Sequence, residues 1–182
     1  MRLYYTASEC PFSQSEIEAA FHGTGDVLLL KEQLTIPYIA NDPEVPLRYD
    51  EFDAYAIDSI VEFLESLPEA QSLGVVLITE KPLLLLVDID FTSEPGKIED
   101  YYVRGAATEA LCVLMSTHGL TPNQSLKAFR QEMGHFYGLP HCEDTPNCLM
   151  IRVDYDSTDL WDNIKTDLCP ICKTKLETWL MV

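Results

Sequence analysis

Gln131, Glu132, His135 and His141 carry side chains that hold metal ions or move protons, and their spacing suits one task. Positions 131 and 135 are four apart, so on an α-helix they project from one face, a turn apart. Gly138 lets the chain leave that helix through a left-handed turn, which returns His141 toward His135. A catalytic zinc takes three protein ligands and keeps a fourth position open for water. Lowering that water's pKa to about 7 yields a nucleophile at neutral pH, and Glu132 is placed to carry its proton. The chemistry in view is hydrolysis, with zinc on His135, His141 and Gln131 and Glu132 as general base. Gln131 is the weak member, because a neutral amide oxygen suits zinc less well than imidazole nitrogen. Three arrangements are open: zinc on both histidines and the Gln131 oxygen, zinc on the histidines with waters, or a bare helix site.

The helix that must carry these residues has a clear start. Thr121 is a capping residue, Pro122 suits the first helical position, and Gln124 completes a capping box. Leu126, Phe129, Met133 and Phe136 follow at helical intervals as the buried stripe, leaving Gln131 and His135 on another face. The plain alternative is an amphipathic helix with a polar side. His118, in the turn before this helix, reads as a solvated residue, and His22 as a helix-end cation.

Of six cysteines, four lie near the end of the chain. Cys142 and Cys148 form one pair, and Cys169-Pro170-Ile171-Cys172 forms a C-x-x-C knuckle. Two such pairs converging on a point build a closed, tetrahedral structural zinc site. A redox C-x-x-C normally opens a helix after a strand, whereas this one follows an Asp-rich stretch. Disulfides are the other alternative, and a reducing cytosol disfavours them. Cys112 reads as a small core residue, and Cys10 is assigned no role.

With its cysteines, the tail resembles the archaemetzincins, a branch of the metzincin zinc peptidases. The pattern is H-E-x-x-H-x-x-G-x-x-H, continuing C-x4-C-x-M and later C-x-x-C. Glu132, His135, Gly138, His141, Cys142, Cys148, Met150, Cys169 and Cys172 match in kind and order. Gln131 stands where the first zinc-binding histidine belongs, and the Cys142–Cys148 gap is five residues rather than four. The resemblance implies a metzincin-like (zincin) α/β fold: a mixed twisted sheet, an active-site helix and a zinc-stapled C-terminal subdomain. Residues 1–182 would form one domain, with 1–138 the sheet and active-site helix and 139–182 the Met-turn and cysteine zinc subdomain. Met150 would be the Met-turn methionine beneath the site. The cleft would run between the halves, and Tyr101–Thr108 is the candidate edge strand for an extended peptide.

The rest of the chain supplies the scaffold. Its 182 residues suffice to bury roughly 70% of the unfolded surface. Strands are predicted at Leu3–Thr6, Gly74–Thr79, Leu83–Asp90, Tyr101–Ala107 and Ala110–Met115, with Val27–Ile36 extended. Helices are predicted at Ser13–Phe21, capped by the Ser13/Glu16 spacing, and at Glu51–Leu64, with Phe52, Ala56, Ile60 and Phe63 on one side. Interleaved strands and helices fit an α/β domain.

The net charge of −18, from 12 basic and 30 acidic residues, leaves no basic footprint for nucleic acid. Asp154, Asp156, Asp159 and Asp162 read as a solvated loop, since a calcium loop would want a glycine and a terminal glutamate. No apolar run is long enough for a signal peptide or a membrane span, so the expectation is a cytoplasmic monomer. The leading function is a zinc-dependent peptidase acting on peptides or small proteins, with one structural and one catalytic-type zinc. The alternatives are an inactive peptide- or zinc-binding module and, last, a thiol redox protein.

Overall fold

The computed structural model describes residues 2–5, 10–20, 31–33, 54–72, 74–85, 102–153 and 157–181. Its main sheet has five strands: β1 (Arg2–Tyr5), β2 (Lys31–Gln33), β4 (Val75–Thr79), β7 (Gly105–Thr108) and β8 (Cys112–Ser116), in the order β2-β1-β4-β8-β7. The first four are parallel and β7 is antiparallel to β8. A smaller sheet joins β3 (Tyr55–Ala56), β5 (Leu83–Leu84) and β6 (Tyr102–Val103). The expected mixed α/β architecture is therefore what the chain adopts.

The adjacent strands β4 and β8 are buried along their whole length and largely apolar on both faces, as buried parallel strands are. Leu3, Val76, Ile78, Val113 and Met115 turn to the layer holding helices α1 (Gln14–Ala20) and α3 (Pro122–Phe136). Val75, Leu77, Cys112 and Leu114 turn to α2 (Ile57–Ser66) on the other face. Cys112 is thus the core residue expected, and burial pushes its thiol pKa up. Beyond α3, the described residues form two more helices, α4 (Thr158–Asn163) and α5 (Pro170–Leu180). Trp161, Leu168 and Leu176 from this region join the α3-side core.

Several boundaries move. The helix expected over Glu51–Leu64 begins at Ile57, because Tyr55 and Ala56 pair in parallel with Leu83 and Leu84. Its buried side is Ile57, Ile60 and Leu64, and Phe52 lies outside the described residues. The Leu83 strand ends at Leu84, with 86–90 outside the described residues. Tyr101–Ala107 is broken at Arg104 into β6 and β7, and the last strand starts at Cys112, after a turn with Ala110 at φ 58°. The capping box on α1 is formed, with the Ser13 N–H donating to Glu16 at 2.8 Å and the Glu16 N–H donating to Ser13 Oγ at 3.3 Å. His22 and most of Val27–Ile36 lie outside the described residues. The Asp-rich stretch is not all loop: Asp159 and Asp162 lie on α4, where Asp162 accepts from Gln124 Nε2 at 3.1 Å. Buried Trp161 anchors that helix, and its carbonyl accepts from the buried Lys127 Nζ at 2.6 Å.

Candidate active site

Helix α3 starts as its sequence dictates. The Thr121 side chain accepts from the Gln124 N–H, Gln124 Oε1 accepts from the Thr121 N–H, and Pro122 follows the cap. Its stripe of Phe129, Met133 and Phe136 is buried, with Leu126 half-buried. The other face is not a solvent face: Gln131 is 5% and Glu132 7% exposed. The helix is held between the sheet on one side and residues of segments 139–153 and 157–181 on the other, so Gln124, Lys127 and Gln131 line an interior seam.

The end of α3 delivers the second histidine. The Gly138 N–H donates to the His135 carbonyl at 2.9 Å and the Leu139 N–H to the Gly134 carbonyl at 3.0 Å, with Gly138 at φ +73°. This pair of bonds is a Schellman motif, and the reversal brings the His141 ring to 4.7 Å from the His135 ring, edge to face. His135 Nδ1 bonds the Leu139 carbonyl at 2.7 Å. A carbonyl only accepts, so Nδ1 carries the proton and Nε2 keeps its lone pair, as metal-ligating histidines do. Burial lowers the pKa of His135. Burial, His135 and Arg152 lower that of His141. Both imidazoles are therefore neutral bases near neutral pH.

Glu132 lies against β7. A Cβ on Gly105 would stand 2.7 Å from the Glu132 Cδ and 2.6 Å from the Leu114 carbonyl. Only glycine at 105 leaves room for that carboxyl. Burial alone raises the Glu132 pKa to about 8. Sequence reading missed Gly105, because nothing local marks a glycine whose neighbour comes from a distant helix. It also missed Arg152, whose charge reaches His141.

Gln131 does not turn toward the histidines with its nitrogen. Its Nε2 donates to the Leu149 carbonyl at 3.1 Å and to the Ile151 carbonyl. Met150, between them, is fully buried, and its Sδ sits 2.4 Å from where a Cβ on Gly134 would lie.

Cys142, Cys148, Cys169 and Cys172 are all buried, and their sulfurs lie within 4.8 Å of one another. The Cys142–Cys169 and Cys148–Cys172 sulfurs are 3.8 and 3.7 Å apart. Zinc–sulfur bonds of about 2.3 Å in a tetrahedron demand sulfur–sulfur edges of about 3.8 Å, so the donor set fits zinc. Burial, then the surrounding thiols, push the Cys172 pKa well above the usual range. Burial also raises Cys169, but the Cys172 N–H and nearby side-chain donors outweigh it and bring Cys169 down to about 6. Such crowded thiols gain most from a cation that takes their protons' place. Cys169 does cap a helix, as a redox pair would, but the second pair of cysteines beside it sets it apart. Among the described residues this is the one group of three or more His, Cys, Asp or Glu side chains arranged to hold a metal.

The outer side of β7 is unpaired among the described residues. The Arg104 carbonyl accepts from the Ser116 N–H at 2.8 Å, so by antiparallel alternation Gly105 and Ala107 turn their peptide groups outward.

The chain is similar to known proteins in part of its sequence and in its fold. A family model described as Peptidase family M54 matches residues 114–178. Archaemetzincin from Methanopyrus kandleri shares the fold with a TM-score of 0.73 at 20% identity, over 100% of this chain and 94% of that one. Archaemetzincin from Archaeoglobus fulgidus, complexed with malonate, gives 0.59 at 18% identity, over 96% and 99%. A zinc-dependent peptidase from Methanocorpusculum labreanum gives 0.63 at 15%, over 96% and 98%. None of the curated proteins matches the chain in sequence. The resemblance to the archaemetzincins thus holds in the tail motif and in the fold of the whole chain. Among the described residues no helix is long and apolar enough to cross a membrane.

Proposed function

We propose that this chain is a zinc-dependent metallopeptidase of the archaemetzincin type, its sheet half (1–138) and zinc-stapled half (139–182) flanking one cleft. The observation that carries the reading is the Schellman turn that sets His141 beside His135 on the helix bearing Glu132. His135 and His141 would hold the catalytic-type metal, with Gln131 Oε1 as a weak third donor, and the four cysteines the structural one. What zinc supplies when bound is Lewis-acid activation of the scissile carbonyl and of water. Glu132 takes the proton from the attacking water and passes it to the leaving amine nitrogen. An extended peptide or small-protein segment pairs with the outward peptide groups of Gly105 and Ala107, which places its backbone beside the Glu132 carboxyl.

Two measurements test this. Protein purified without added zinc should carry two zinc ions per chain, and Glu132→Ala should abolish peptide cleavage while leaving the zinc content of the cysteine site intact. Cleavage that survives Glu132→Ala removes Glu132 from the mechanism. A second reading, a non-catalytic peptide-binding module, is favoured by the commitment of the Gln131 amide nitrogen to two carbonyls. One zinc per chain, peptide binding and no cleavage would select it.

A further inference from the structure

Three consecutive carbonyls of the Met150 segment are tied down by donors from outside it. Gln131 Nε2 donates to Leu149 and Ile151, and the Cys142 N–H donates to the Met150 carbonyl at 2.8 Å. The direction of the amide is set by chemistry: exchanging its nitrogen and oxygen would face three acceptors toward one another. Both hydrogens of the Gln131 amide are thereby used inside the protein. An imidazole at position 131 that gave one nitrogen to an ion would keep a single N–H for this segment. The amide nitrogen carries two hydrogens and reaches two carbonyls with no ion required.

We infer that Gln131 is a positioning residue that fixes the Met150 segment against α3 by itself, so that the cleft floor is built without metal at the helix site. The inference deepens the archaemetzincin-type reading of this site, and it fails or stands independently of whether cleavage occurs. Leu149 and Met150 are fully buried, so their peptide groups have no water to replace a lost donor. The segment is held at its near end by Cys148 in the sulfur cluster and by the Ile151 N–H bond to the Cys148 carbonyl at 3.1 Å. Gln131 adds a donor on each side of Met150, to Leu149 and to Ile151.

Amide hydrogen exchange of Cys142 and Ile151 reads the integrity of this segment, with Ser125, bonded to the Thr121 carbonyl at the other end of α3, as internal control. Zinc alone is the probe, added at one and at two equivalents per chain; the thiolate site fills first. In the parent, both amides should be equally protected at one and two equivalents. In Gln131→Met they should exchange about tenfold faster or more at both, with Ser125 unchanged. Parent protection that appears only at the second equivalent, or a Gln131→Met protein as protected as the parent, overturns the inference. Should that variant fail to fold, the parent's Gln131 side-chain amide protons decide: slow exchange supports the strut, and exchange at the rate of a free amide overturns it.

Discussion

Glu132 shows how a single side chain ties stability to pH. Its pKa is raised to about 8 by burial, against 4.5 in the unfolded chain. The folded state therefore binds the extra proton between these values, and the contribution of this group to stability is fully present below about 4.5 and is lost as pH rises through 8. Urea denaturation of zinc-free-helix protein across pH 5–9 should show that fall, and Glu132→Gln should flatten it. An equal slope in the variant would mean that another group is responsible. A cation on His135 and His141 favours the ionised carboxylate, so the same titration with zinc should move to lower pH. Burial is what the local sequence hides here. Glu132 follows Gln131 in a polar-looking turn, and its surroundings come from Gly105 and Leu114, tens of residues away.

Helix α3 and the turn after it were the most legible part of the chain, because their determinants are local. Thr121, Pro122 and Gln124 fix the start by neighbouring contacts, and Gly138 fixes the end. Replacing Gly138 by alanine forces a side chain into the left-handed region at φ +73°, with its Cβ 3.1 Å from Glu109 Oε1. The expected loss is about 1–2 kcal/mol, measured by chemical denaturation, with weaker zinc binding at the histidines. A neutral result would mean that the turn has a cheaper alternative. Elements defined by distant partners were not legible in the same way. Tyr55 and Ala56 fit the helical period of the residues after them, and only their pairing with Leu83 and Leu84 makes them a strand. Asp162 is exposed, as a solvated residue is, but it lies on α4 rather than in a loop, and its partner Gln124 comes from the distant α3. The cysteines were legible because their spacing is itself the signal, whereas the role of the Gln131 amide depended on where residues 149–151 return.

At the scale of the whole molecule, the sulfur cluster and the sheet share a core. Phe129 and Met133 of α3 belong to the same apolar cluster as Leu149, Trp161, Cys172 and Leu176, and Trp179 Nε1 donates to Glu109 at 2.9 Å, clasping α5 to the β7–β8 turn. Removing one sulfur of the cluster should therefore destabilise the chain as one unit, with Cys172→Ser lowering the single thermal midpoint by about 5 °C or more. Two separate transitions in calorimetry would show that the tail melts alone. The wedging of the Met150 thioether against Gly134 has a consequence for damage. Met150 is fully buried, so the folded protein shields its sulfur from oxidants. If the tail opens and the thioether becomes a sulfoxide, the bulkier, polar group no longer fits the slot, and a passing excursion becomes a permanent loss until a reductase repairs it.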